Sequence, residues 1–568
     1  MKKVLLLVGA IAITTAGVVG AEVVEHRGIW LHPDQFKTPQ LAQAWMEKIA
    51  AAHLDTIYPL VWYRGGTAWF RSQLSPMAND VPQGFDPLGN LIQIAHARGI
   101  AVHAWFVNGS YGAPVNSGVF VTHPDWRLLG DGNGESWYDL GKPAVREFQR
   151  NVMLDCLRHY EVDGLHFDYI RYSGQVVCYC DHCQHEFSGK YGFPPLRAGQ
   201  ERFPAFFQVA ANPLDKPTTA QVLATFESGK PAITLNRLGK GETVLLNWEA
   251  LHSASLAADN FARQMLTRFG AGAKNTFQLN TTQTAAKYQP EVQSHANQWL
   301  RGLGFPAKLI NETALAKVPA AATLVLQGQY YLAEDTTNWL EEFVRQGGHC
   351  LFIDGPVFSI KYRPLQRVLG LKATAAYFHG ATLISPAAGQ QILERGPAVD
   401  VDQERARIAK WVEYRTGTVT EFVRSVYREA KAIKPGVWIN AAVFFNKQSA
   451  DGVCQDWYGW LREGCVDYVL PMAYTEDNKK LAEAFAEWKA ADPSMQRIIP
   501  GLSIYSRKNG KAVARDLALV RSQLELCKRN ATHGNLFFSL SFLNESLIKM
   551  LADGVFAEPA RPWYPPRR

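Results

Sequence analysis

The stretch Asp163–Tyr172, reading DGLHFDYIRY, sets a carboxylate among apolar and aromatic neighbours. On a strand, side chains alternate between faces, so His166, Asp168 and Ile170 share one face, opposite Leu165, Phe167 and Tyr169. A carboxylate at the end of such a buried run is costly unless it is hydrogen-bonded, paired or used. Two readings are open: a structural Asp that holds a neighbouring loop, or an acid/base group. Hydrolysis of a glycosidic bond is the chemistry that pairs such a group with a second carboxyl, one protonating the leaving oxygen and one acting as nucleophile or base. With Asp168 as the nucleophile or base, the candidates for the acid are Asp456 in CQDWYGW and Glu476 in PMAYTED, followed by Asp477 and Asp139. Each has a plain alternative, a helix N-cap for Asp456 and a solvated loop residue for Glu476.

A second group is CYCDHC, with Cys178, Cys180 and Cys183 next to His182 and His185. Three thiols and an imidazole in so short a span can hold a structural zinc, with Cys178, Cys180, Cys183 and His185 as ligands. A local disulfide with a spare thiol, or reduced packing cysteines, fit the same spacing. Carboxylate chemistry requires no cofactor, so zinc is the one metal expected and its role is structural.

Elements must bring these groups together. RGIWLH (27–32), DTIYPLVWY (55–63), IAVHAWFVN (100–108) and the Asp163 stretch read as strands, alternating with helices at 39–52, 87–98 and 143–160. The alternation breaks and resumes near residue 402. Strands at 436–445, 466–474, 498–505 and 535–542 then follow helices at 404–433, 456–463, 479–490 and 511–529. Four βα units plus four predict a closed (β/α)8 TIM barrel, with its site at the C-terminal ends of the strands. Asp168 falls at that end of strand four, whereas Asp163 and Asp467 open their strands on the opposite face. The intervening 196–396 carries its own strand and helix signals, including a hairpin at 230–248, and is expected to be a smaller flavodoxin- or amidotransferase-like α/β domain. It has no Gly-rich phosphate loop and no nucleophile elbow, so a support role is expected. The predicted division is 1–21, 22–195, 196–396 and 397–568.

The strand ends supply His32, Trp62, Arg64, His103, Trp105, Asn108, Tyr474 and Tyr505. Asp139, His166, Arg171, Tyr172 and Trp457 complete the set of expected substrate contacts. Any one of them alone is ordinary packing; converging on one mouth they would form a cleft for a polyhydroxylated ligand.

Composition bounds the partners. Hydrophobic residues at 47% and charged residues at 20% describe an ordinary globular chain; 16 Trp is a high count, and surplus indoles often serve as sugar-stacking platforms although most are core. The net charge of +7, without a long basic block, argues against nucleic acid and leaves a polysaccharide open. Residues 1–21, with Lys2, Lys3, an apolar run and Val19-Gly20-Ala21, read as a secretory signal. The expected mature chain is secreted or periplasmic and has no membrane span.

In order along the chain, RGIWLH, the 64–72 region, HAWF, WYDLGKPAVREF, DGLHFDYIRY, INAAVF, QDWYGWL and VDYVLPMAY resemble the bacterial glycosyl-hydrolase-like family 10, formerly an unknown-function family. That family includes an envelope hydrolase acting on peptide-free peptidoglycan strands. The resemblance spans 25–190 and 402–550 and leaves the insert outside. It implies an exported glycoside hydrolase with Asp168 in its site, acting on a cell-wall glycan. Thr67 stands where the family usually has an acidic residue. Strand four also resembles the D-G-x-D-x-D-x-E signature of family 18 chitinases, but His166 replaces one Asp and Ile170 the catalytic Glu. The general acid must then come from elsewhere in the mouth. The alternative is a carbohydrate-binding barrel that has lost turnover.

Overall fold

The computed structural model describes residues 23–564, apart from 115, 129–136, 176–177, 179, 196–201, 212–213, 250–255, 288–290, 357, 374–377, 509–510 and 559. The expected secretory segment lies outside the described residues. No helix among those residues is long and apolar enough to cross a membrane.

Eight strands form a closed parallel barrel: β1 (His26–Leu31), β2 (Thr56–Tyr63), β3 (Ala101–Val107), β4 (Gly164–Asp168), β5 (Trp438–Phe444), β6 (Tyr468–Ala473), β7 (Gly501–Ser503) and β8 (Gly534–Phe538). Each pairs with its neighbours in chain order, and β1 closes the ring by pairing with both β2 and β8. The sequence alternation therefore translates into the expected fold.

Local chemistry sets the helix starts. In α1 (Pro39–Ala51), Thr38 caps the Leu41 amide and Pro39 occupies the first turn, where its missing N–H is harmless. Ala42, Met46 and Ile49 then recur on the face turned to the barrel, so truncating Met46 to Ala would cost about 2–5 kcal/mol. Next come α2 (Pro87–His96), capped by Asp86, and α3 (Pro143–His159). In the second half, α4 (Val401–Ile433), α5 (Trp457–Glu463), α6 (Asn478–Ala491) and α7 (Leu517–Arg529) are capped by Asp400, Asp456, Asp477 and Asp516. The helix expected from residue 511 starts later. Lys511–Ala514 instead pairs antiparallel with Tyr505–Lys508, and Asp516 then accepts the Ala518 and Leu519 amides to open α7.

Between β4 and β5 the chain builds a second nine-stranded sheet. Its order is Lys308–Ile310, Thr276–Leu279, Thr323–Gln327, His349–Ile353, Gly241–Leu246, Pro231–Leu238, Gln221–Phe226, Phe378–Pro386 and Ala205–Ala211. The first five are mutually parallel and the remaining pairings antiparallel. The expected hairpin around Gly239–Gly241 is present, with Leu238 paired to Gly241. Separate apolar clusters, one around Phe207 and Trp248 and one around Leu324 and Phe343, form its core.

A polar relay fills the barrel interior beneath the mouth. Trp30 Nε1 donates to His166 Nε2 (3.0 Å), and His166 Nδ1 donates to Asn440 Oδ1 (2.7 Å). Asn440 Nδ2 donates to His103 Nδ1 (2.9 Å), leaving His103 Nε2 to donate to the Tyr564 hydroxyl (3.1 Å). The Tyr58 and Tyr468 hydroxyls lie 2.9 Å apart beside it, and Tyr58 also reaches His26. Gly164 makes room for this layer, since a Cβ there would lie 2.1 Å from His103 Nδ1. Burial lowers the pKa of His166 to about 3 and that of His26 to about 4, so both rings are neutral.

Candidate active site

Above that layer the C-terminal strand ends enclose a cavity of about 480 Å³. Asp168 ends β4 and is 6% exposed. Its Oδ2 accepts from Trp105 Nε1 at 3.2 Å and its Oδ1 from the Tyr169 amide at 2.7 Å. Tyr169 follows in the left-handed region (φ +49°), an unfavourable conformation for an aromatic residue. That turn lets the side chains of consecutive residues, Asp168 and Tyr169, line the same cavity. Burial raises the Asp168 pKa and outweighs the opposing pull of Arg171 and the two hydrogen bonds.

Two further carboxylates line the cavity, Asp34 and Asp80. Lys37 Nζ bridges them, at 2.8 Å from Asp34 Oδ1 and 3.0 Å from Asp80 Oδ2. The Lys37 contact holds the Asp34 pKa below its usual value, with Arg64 and His32 adding to the pull. The cavity thus contains one carboxyl biased towards its protonated form and another biased towards the anion. Tyr63, Trp105, Tyr169, Tyr474, Tyr505 and Phe538 supply aromatic walls. The Trp105 ring is tilted against His32 with centroids 5.4 Å apart, and Tyr474 stacks on Phe538 at 5.2 Å.

Of the residues expected here, the structure gathers Asp168, His32, Arg64, Trp105, Tyr474 and Tyr505 into the cavity lining. It does not bring the expected second carboxyls to Asp168. Asp456 caps α5 through the Gly459 amide (2.9 Å) and borders a separate groove with Asp451 and Glu463. Glu476 is exposed and outside the lining, and Asp477 caps α6. Trp62 is also displaced. A register irregularity between Leu60 and Trp62 turns Trp62 outward, where Nε1 donates to Ser75 Oγ (3.0 Å) and the ring stacks on Tyr138, while Tyr63 takes the cavity face.

His103 and His166 are consumed by the interior relay and are not among the lining residues. Asn108 is clasped by Gln149, which accepts from its side-chain Nδ2 (3.2 Å) and donates to its backbone carbonyl (3.0 Å). Arg171 packs over the Tyr169 ring at 4.1 Å and the Phe444 ring at 4.8 Å, behind the lining. The Tyr172 hydroxyl meets Thr418 Oγ1 at 2.8 Å, and Trp457 Nε1 donates to the Phe444 carbonyl at 3.1 Å, so neither serves the cavity. Asp139 is fully buried beside the buried Cys178 and Cys183 and the half-buried Cys180, whereas His185, expected to complete that cluster, is exposed and outside it.

Sequence reasoning missed Asp34, Asp80 and Tyr63 as cavity residues. Asp34 lies just past β1 and was open to the same strand-end argument as Asp168. Asp80 comes from the irregular segment after β2 and had no local signal.

The glycosyl hydrolase-like 10 profile matches residues 25–234 and 375–516. The match therefore enters the strands of the second sheet at both ends, rather than leaving the whole insert outside. Glycosyl hydrolase DigH of Escherichia coli K12 is 34% identical over 125 residues, covering 18% of this chain and 28% of that protein. Glycosyl hydrolase YngK of Bacillus subtilis 168 is 30% identical over 121 residues, covering 19% and 23%. The aligned regions thus span less than a third of these relatives' lengths. Among solved structures, the PgaB (BpsB) glycoside hydrolase domain of Bordetella bronchiseptica aligns over 93% of this chain and 98% of its own, with TM-score 0.41 and 10% identity. With more than half of the chain inside the profile match, barrel strands β1 to β7 among it, the chain belongs to the glycosyl hydrolase-like 10 family.

Proposed function

We propose that the protein is an exported glycoside hydrolase that cleaves a polysaccharide, with a cell-wall, peptidoglycan-like glycan as its substrate. The observation that carries this reading is the meeting of Asp168, Asp34 and Asp80 in one aromatic-walled cavity. Asp168, held partly towards its protonated form by burial, serves as the acid that protonates the leaving oxygen. Asp34, kept anionic by Lys37, serves as the base or nucleophile. This reverses the roles expected from the sequence, where Asp168 was the nucleophile or base and the acid was Asp456 or Glu476. Tyr169 and Tyr474, both half-buried, offer faces on which sugar rings stack. The cell-wall substrate rests on the motif resemblance, and export rests on residues 1–21.

The test is product release from a panel of purified glycans that includes peptide-free peptidoglycan strands, followed by chromatography and mass spectrometry. Asp168→Asn and Asp34→Asn should each lower kcat/KM by about 10²–10⁴-fold on the glycan that is cleaved. Wild-type turnover in Asp168→Asn would remove it from the mechanism. Retention on insoluble glycan without any product would instead establish a binding protein.

A further inference from the structure

Outside the cavity, one cluster of metal-ligating side chains among the described residues remains unexplained by hydrolysis. Asp139, from the segment after β3, meets Cys178, Cys180 and Cys183, from the segment after β4, with all four donor atoms within 4.8 Å of one another. All three cysteines are free thiols in the structure. We propose that Asp139, Cys178, Cys180 and Cys183 bind a zinc ion that pins the segment following Asp168 to the rest of the barrel mouth.

The carboxylate is divided between two tasks. Its Oδ1 accepts from the Gly141 amide (3.0 Å) and from Arg415 (3.4 Å). Its Oδ2 faces the sulfurs of Cys178 at 3.1 Å, Cys183 at 3.3 Å and Cys180 at 3.6 Å. Three S–H donors on one oxygen exceed the two lone pairs available to receive them. A tetrahedral zinc with its usual bond lengths places sulfur and oxygen ligands about 3.5 Å apart, close to these separations. Zinc is the divalent ion suited to a closed, tetrahedral, sulfur-rich site.

The surroundings offset most of the charge of such a site. Three thiolates and a carboxylate carry four negative charges, against which the dication and the fully buried Arg415 guanidinium bring three positive ones. Arg415, on α4, also reaches Cys183 Sγ (3.5 Å), the Cys178 carbonyl (3.2 Å) and the Tyr172 hydroxyl (3.3 Å). It thereby fixes ligand orientation and links the cluster to the residues just past Asp168. Gly141 permits the approach, because a Cβ there would lie 2.8 Å from Cys183 Sγ and 2.9 Å from Asp139 Oδ1.

The test is the metal content of the purified full chain by plasma mass spectrometry, joined to zinc-edge X-ray absorption. The expected result is about one zinc per chain in a shell of three sulfurs and one oxygen. Asp139→Asn and Cys183→Ser should cut bound zinc at least about tenfold, and Asp139→Cys should retain it with a four-sulfur shell. Should a variant fail to fold, the wild-type absorption spectrum decides alone. Absence of zinc after reconstitution with the free ion, an imidazole in the shell, or a disulfide among the three cysteines would overturn the proposal.

Discussion

The indole of Trp105 donates to Asp168 Oδ2 from the adjacent strand, at 3.2 Å. In register Trp105 pairs with His166, so the indole reaches one inward position up the barrel to meet the carboxylate. The bond favours the anion and opposes the burial that favours the acid. Trp105→Phe keeps the aromatic wall and deletes the donor. Its Asp168 should titrate at higher pH than in the wild type, moving the alkaline limb of the kcat/KM profile upward. A limb that stays in place, or moves down, would exclude Asp168 as the proton donor.

The acidic limb should belong to Asp34. Lys37 stabilises its anion, so Lys37→Met should raise the Asp34 pKa and shift that limb to higher pH. The alkaline limb should be unmoved. Added salt should produce part of the same shift in the wild type, because this ion pair is largely exposed. A profile indifferent to both changes would assign the base elsewhere, with Asp80 the next candidate.

Trp62 and Tyr63 separate packing from binding. Trp62 is buried outside the barrel ring and Tyr63 lines the cavity. Trp62→Ala should destabilise the fold by about 3–5 kcal/mol, read from chemical denaturation. Tyr63→Ala should cost little stability and raise KM for the cleaved glycan several-fold. The opposite pattern would mean that the strand irregularity at β2 has been misplaced.

That irregularity shows where sequence reading stops. Strict alternation located Leu165 and Phe167 outside and His166 and Asp168 inside, because β4 is regular and both of its faces are buried. The same rule failed just past Asp168, where the left-handed turn at Tyr169 sends Tyr169 to the cavity and Ile170 to the outer core. It failed again two strands away, since an extra residue in β2 leaves no mark in residue types. Alternation also cannot grade depth. It turned His103 and His166 inward correctly, but the relay that holds them lies below the cavity and depends on Asn440, far along the chain. The link between Asp139 and the cysteines is equally non-local, joining segments after different strands.

Asp456 illustrates the plain alternative prevailing. An Asp immediately before Trp457 and Tyr458 opens a helix, and its carboxylate is occupied by the Gly459 amide. Asp456→Ala should cost about 1 kcal/mol of stability through the lost cap while leaving kcat unchanged. Glu476→Gln should change neither. A loss of turnover of a hundredfold or more in either variant would return it to the mechanism.

The interior histidines should make the protein acid-sensitive well above the carboxylate range. Burial lowers the pKa of His26 to about 4 and of His166 to about 3, and carries His103 well below its usual value. Each is neutral when folded but takes up a proton on unfolding below about pH 6.5, so its contribution to stability is lost as pH falls through that window. Asp55 opposes them. Burial raises its pKa to about 7, so between about pH 4 and 7 the folded chain holds a proton that the unfolded chain lacks. Asp139, its pKa raised by burial to about 6, and Asp168 act with Asp55, while His32, His349 and His533, lowered by burial, act with the three interior rings. The histidines outnumber the carboxyls, so stability should fall on acidification. Denaturation midpoints measured from pH 7 to 4.5 should therefore decline, more steeply in Asp55→Asn, which lacks one of the opposing groups. A flat or rising midpoint would show that the relay does not keep these rings neutral.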